Sequence, residues 1–314
     1  MSRPASPTRA TLAQIKTELR LTARRGENVL VTIVIPVVIL LFFASVKVLP
    51  SAAGRPVDFL LPGTLALAVI ATGLVNLGIA TAYERNYGVL KRLGGSPLTR
   101  GGLLIAKMSA VLALEIGQVA LLVLIAAVLL GWRPGPAASA VLIVATLLLG
   151  TLAFAGLGLL LAGALRAEAT LAIANGLFIA CLLLGGVILP VADLPGPLAS
   201  LAGALPAAAL SDAFRIALGS ADGSATGSLL ILAIWGLGAV GLAARTFRWE
   251  LAAPEPGDDA YSEASGNSRR RRTGEPTRNS TPAMARIVAI RIAWRTPSAP
   301  PSRPPSRAPI GRTP

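Results

Sequence analysis

Six long apolar segments, at residues 29–46, 59–82, 103–130, 137–165, 169–189 and 228–244, constrain this chain more than any other feature. A hydrocarbon core about 30 Å thick is crossed by about 20 helical residues. Within lipid every backbone N–H and C=O must find its partner inside the protein, and these runs lack the period-two alternation of barrel strands. The expectation is an all-α polytopic membrane protein with six transmembrane helices. Composition agrees, because only 14% of the residues are charged, against about 25% in ordinary globular chains. The first apolar run leads to Pro50 without a small-residue cleavage motif, so no removable signal peptide is expected.

Orientation follows from the basic residues. Fourteen of them flank the spans on the side that carries the amino terminus, including Arg20, Arg24, Arg85, Lys91, Arg92, Arg100, Lys107 and Arg245. The opposite side has four: Lys47, Arg55, Arg133 and Arg215. This bias predicts both termini in the cytoplasm of a cell whose cytoplasmic (inner) membrane holds the chain. Three regions result: 1–28 before the first span, a membrane domain over 29–250, and a tail over 251–314. The tail is rich in Pro, Ser and Arg, with an arginine run at 269–272. It reads either as a disordered basic extension, whose stretch 285–295 can touch an anionic surface, or as a spurious extension of the coding sequence.

Residues 8–25 place Leu12, Ile15, Leu19 and Ala23 at helical spacing among Arg9, Lys16, Arg20 and Arg24. That pattern predicts an amphipathic helix lying in the membrane interface, with membrane lipids as its partner. The net charge of +14 divides between the basic tail and the basic flanks of the spans, and needs no nucleic acid to explain it.

Catalytic chemistry is poorly supplied. There is no histidine, and Cys181 is the only cysteine, which removes the usual general base and metal ligand. No metal site and no cofactor are expected on this chain. Within the spans, Glu115 and Gln118 lie one helical turn apart near mid-depth of the third segment. They are candidates either for the substrate path or for a polar contact between helices. Asn76 and Asn175 read as interhelical hydrogen-bonding residues.

The connection after the second span runs Tyr83-Glu84-Arg85-Asn86-Tyr87-Gly88-Val89-Leu90-Lys91-Arg92-Leu93-Gly94-Gly95-Ser96-Pro97-Leu98. Its charged part predicts a helix through Leu93, broken by Gly94-Gly95, with Ser96-Pro97 as cap and first turn of the third span. This stretch resembles the membrane subunits of ABC transporters of the ABC-2 type. The resemblance rests on Glu84, Arg85, Gly88, Leu90, Lys91, Leu93, Pro97 and Leu98, with Lys107 at the start of the third span. Phe59-Leu60-Leu61-Pro62-Gly63, Leu205-Pro206, Asp212-Ala213-Phe214-Arg215, Gly219 and Phe247-Arg248-Trp249-Glu250 extend it over residues 10–250. Within the family the chain resembles actinobacterial exporters of the daunorubicin-resistance type, a resemblance that would imply a high-GC bacterium.

The resemblance implies two copies of a separate ABC ATPase subunit and a second permease subunit, identical or not. It makes Glu84, Arg85, Gly88, Leu90, Lys91, Arg92 and Leu93 the ATPase-coupling residues, with ion pairs to the ATPase from the charged ones. It also implies two short helices in the external connection 190–227, a segment the residues alone leave equally open to a loop on the membrane surface. ATP and magnesium would belong to the partner, since the chain has no G-x-x-x-x-G-K-[ST] phosphate loop. The expected function is an exporter permease moving an amphipathic or hydrophobic, drug-like or lipid-like substrate. Alternatives are a lipid-linked polysaccharide exporter, which the 4% aromatic content disfavours, and a non-transporting membrane scaffold.

Overall fold

The computed structural model describes residues 6–24, 26–45, 55–187, 191 and 194–246. The tail 251–314 and the closing Phe247-Arg248-Trp249-Glu250 lie outside the described residues. The described residues form eleven α-helices and no strand: α1 Pro7–Arg24, α2 Gly26–Ser45, α3 Pro56–Ile70, α4 Leu77–Asn86, α5 Val89–Gly94, α6 Arg100–Leu129, α7 Ala140–Ala164, α8 Ala167–Leu184, α9 Gly196–Ala204, α10 Pro206–Ala217 and α11 Thr226–Thr246. A π-helical segment, Ala71–Asn76, joins α3 to α4 into one span of 31 residues. With that span, α6, α7, α8 and α11 make five helices long and apolar enough to cross a bilayer. The apolar part of α2, Thr32–Ser45, coincides with the first expected span. The all-α, multi-span architecture is therefore the one expected.

The α3 helix is the mast of the bundle. Every residue from 60 to 70 is buried, because α2, α6, α7 and α10 surround it. Leu61, Leu65 and Ile70 pack with Leu122 of α6, Phe154 of α7, and Leu210 and Phe214 of α10. Beyond Asp58 in its first turn and the buried Thr64, α3 is apolar, has no polar face to expose and so takes the centre. Arg55, just before α3, donates to the carbonyl of Gly131 after α6 at 2.8 Å. Arg85, at the end of α4, reaches carbonyls at the end of α7. The α3–α4 span and α7 thus run in one direction and α6 in the other.

Backbones meet closely where the π-helical segment crosses α7. A methyl group on Gly158 would fall on the Gly73 carbonyl oxygen and within 2.9 Å of that of Leu74. One on Gly78 would lie 3.1 Å from the Gly158 Cα. Small residues permit this approach, and dispersion contacts there do the work that the hydrophobic effect does in water. The wide turn is marked by Leu77 N–H donating to the Thr72 carbonyl, five residues back.

Three local expectations change. The helix expected through Leu93 is interrupted at Gly88, whose φ of 70° is left-handed and ends α4. The third span begins at Arg100 rather than at Pro97: Thr99 is its cap, accepting from Gly102 N–H at 3.0 Å. Ser96 instead closes α5, its hydroxyl donating to the Leu93 carbonyl at 2.6 Å. The reason is Leu98, which is buried among Leu90, Leu103 and Leu104 and uses the intervening residues to get there. Third, α1 docks through Ala10, Gln14, Ile15 and Glu18, while Leu12 and Leu19 of the expected apolar stripe stay exposed. Exposed leucines beside a docked face of mixed polarity suit a helix whose other neighbour is lipid.

The connection after α8 contains two helices, α9 and α10, bent by 79°. α10 packs into the bundle, with Leu210 and Phe214 fully buried, whereas α9 is mostly exposed. Arg215 stacks over the Phe59 ring at 4.5 Å and donates to the Gly186 carbonyl. Ser228 of α11 donates to Asp212 at 2.7 Å.

The close crossing makes a direct prediction. Gly158→Val should lower the unfolding temperature of the detergent-solubilised protein, whereas Gly117→Ala, with open space around it, should leave it unchanged or raise stability by about 0.5–1 kcal/mol. Thermal unfolding of the two variants side by side checks this.

Candidate functional site

The α4–α5 connection is built from outside to inside by alternating anchors and exposed residues. Leu90 is fully buried against Leu77, Leu103 and Val111, which pins the short helix α5 to the bundle. Leu93 is half-buried beside it. Lys91 and Arg92 are exposed. So are Tyr87, at 73%, and Val89; the Tyr87 ring leans on that of Tyr83, 6.0 Å away. The outcome is a cationic and aromatic surface mounted on an apolar foot.

Glu84 and Arg85 face the other way. Arg85 is 5% exposed, and its guanidinium donates to the carbonyls of Gly163 and Leu165. Those are carbonyls that the end of α7 leaves without helical partners. Glu84 lies 2.6 Å from the ammonium of Lys107, on the second turn of α6. The same ammonium is 3.2 Å from Glu18 of α1. Lys107 is 2% exposed, and its two carboxylates 12% and 16%. Removing one member of such a buried set costs about 3–5 kcal/mol, because it strands the others away from water. Glu84 and Arg85 are thus internal ties from α4 to α1, α6 and α7, and ion pairs from them to a partner, as expected, would compete with those ties.

Glu115 and Gln118 occupy the middle of α6 and are both buried within the bundle. Glu115 accepts a hydrogen bond from the Thr151 hydroxyl of α7. Gln118 accepts from Thr72 at 3.2 Å and donates to the Thr32 carbonyl of α2 at 2.7 Å. That carbonyl is the one that residue 36 would bond in an unbroken helix; residue 36 is proline and has no N–H. Gln118 supplies the donor that Pro36 withholds. Both residues thus connect α6 to neighbouring segments, Glu115 to α7 and Gln118 to α2 and the π-helical segment. Asn175 is exposed on α8 and donates to its own helix, to the Leu171 carbonyl at 2.8 Å.

A cavity of about 60 Å³ lies next to Lys107, lined by Glu18, Thr72, Asn76, Glu84, Val111 and Leu114 among others. No group of three or more metal-ligating side chains occurs among the described residues.

The family model for the ABC-2 type transporter matches residues 9–218, from α1 to the end of α10. The chain belongs to the ABC-2 type transporter family. No individually curated protein shows significant similarity to it. An ABC-2 permease is the membrane component of a transporter, and membership implies pairing with an ABC ATPase subunit; the chain is a multi-pass membrane protein.

Sequence reasoning missed the partners that give this site its shape. Glu18, the sole acidic residue of α1, was legible only as one charge in a basic helix. Lys107 was legible as a family position without a role. Tyr87 and Val89 are exposed because Gly88 turns the chain between them, and no periodicity signals that turn.

The Pro36–Gln118 pairing is testable. Gln118→Leu should cost about 1–2 kcal/mol of unfolding free energy. In a Pro36→Ala background, where residue 36 regains its N–H, the same change should cost clearly less. Equal costs in both backgrounds would contradict the pairing.

Proposed function

We propose that the chain is the permease half of an ATP-driven exporter, working with a second permease subunit and two cytoplasmic ABC ATPase subunits. The side carrying α1 and α5 faces the cytoplasm, as the excess of basic residues there supports. ATP and magnesium act on the partner. The observation that carries the reading is α5 itself: Lys91 and Arg92 point outward from a helix whose foot, Leu90, is buried in the bundle. A helix held that way receives a push and passes it on. Loose charges on a mobile loop would not.

In this reading the coupling residues divide into two groups. Tyr87, Val89, Lys91 and Arg92 meet the ATPase, the basic pair against acidic groups. Glu84, Arg85, Gly88, Leu90 and Leu93 fix the direction in which the contact acts. The substrate is amphipathic or hydrophobic and drug-like or lipid-like. The support is the apolar outer face of the spans: Leu171, Ile173, Leu177, Ile179 and Leu183 of α8, and Leu230, Ile234 and Leu237 of α11, are all exposed. Glu115 and Gln118, engaged inside the bundle, hold the wall of the path rather than line it.

Reversing the cationic surface tests the contact. Lys91→Glu with Arg92→Glu should lower the permease-dependent stimulation of ATP hydrolysis about tenfold or more, since like charges set opposite each other cost several kcal/mol at an interface. Stimulation equal to that of the unaltered complex would remove these residues from the coupling surface.

A further inference from the structure

We infer that Lys107 is a positioning residue that clasps α1 to the coupling segment, so that displacement of α5 enters the membrane through both together. The inference rests on the coupling role proposed for α5. Its basis is the geometry around one ammonium group. Lys107 Nζ lies 2.6 Å from Glu84, four residues before Gly88, and 3.2 Å from Glu18 on α1. Gln14 donates to the same Glu18 oxygen at 2.9 Å and so fixes that carboxylate.

Charge balance explains why this is more than a buried cation made comfortable. An ammonium is strongly hydrated and is rarely buried without a counter-charge. One carboxylate neutralises it. The second adds nothing to neutrality, leaves the set with an excess negative charge, and brings a third helix into the contact. Three segments remote in sequence are held at a single point. Arg85, the neighbour of Glu84, carries the same α4 terminus to the end of α7.

The adjoining cavity adds a second property. Close-packed interiors leave no room for a side chain to change partners. Here about 60 Å³ lies against the ammonium, bordered by Thr22, Thr72, Asn76, Leu77, Val111 and Leu114. That space, which is partly open, leaves room for Lys107 to shift its weight between Glu18 and Glu84 as α5 moves.

The test uses the whole permease–ATPase complex in vesicles of phosphatidylethanolamine and phosphatidylglycerol. The readout is ATP hydrolysis per assembled complex relative to the isolated ATPase subunit. Lys107→Met should reduce this stimulation about tenfold, and Lys107→Arg should bring it back to within about threefold, because a guanidinium fork serves two carboxylates at once. The Glu18→Gln/Glu84→Gln double variant should match Lys107→Met, and adding Lys107→Met to it should cause no further loss, as expected of residues acting as one unit. Full stimulation in Lys107→Met, failure of Lys107→Arg to recover, or losses that add would each overturn the inference. If Lys107→Met does not accumulate in the membrane, full stimulation in the double glutamine variant overturns it equally. Unaltered permease that recruits no ATPase subunit overturns the coupling reading itself; stimulation that survives Lys107→Met overturns the clasp alone.

Discussion

A buried ammonium with two carboxylates dictates how the charged end of this protein is put together. Lys107 sits on an otherwise apolar helix, and its charge is tolerable only if acidic groups come to it. Glu18 comes from α1 and Glu84 from α4, so the helix expected to lie in the interface and the segment leading to α5 are fastened to the third span. Arg85 completes the arrangement by bonding the carbonyls at the end of α7. These ties, together with the buried Leu90 that pins α5, determine where Lys91 and Arg92 are presented.

Behind this charged end the bundle is held by closeness. Gly73, Gly78 and Gly158 let two helices meet backbone to backbone, and the π-helical turn at Ala71–Asn76 sits where they meet. Thr72 of that turn bonds Gln118, which in turn reaches the carbonyl opposite Pro36 in α2. Thr72, Gln118, Thr151 and Glu115 are therefore engaged in contacts between helices. The large apolar side chains that the described spans leave exposed are mainly leucine, isoleucine and valine, with Phe42 and Trp235 among them.

The spans were legible in the sequence because lipid imposes a simple rule: 20 or so apolar residues, with the backbone satisfied in the segment. Family membership was legible for a related reason, since Glu84, Arg85, Gly88, Leu90 and Lys107 keep a spacing that the fold uses. The inward direction of Glu84 and Arg85 was not. A run of charges at the end of a span looks solvated until the carbonyls of Gly163 and Leu165, nearly 80 residues away, are brought beside it. Nor was the start of α6: Ser96-Pro97 is a good local cap, and it lost to the burial of Leu98, which is a tertiary demand. Glu115 and Gln118 looked alike as intramembrane polar residues, yet their partners differ, because Pro36 leaves a carbonyl for one and Thr151 offers a hydroxyl to the other.

The central claim is that this chain moves in response to ATP hydrolysed by a separate subunit docked on the α1–α5 end. Affinity purification of the tagged chain from its native membranes in mild detergent, followed by identification of the proteins that come with it, tests this most directly. The account predicts a nucleotide-binding ABC subunit in an amount equal to the permease. Recovery of the intact, folded permease with no ATPase subunit would contradict it.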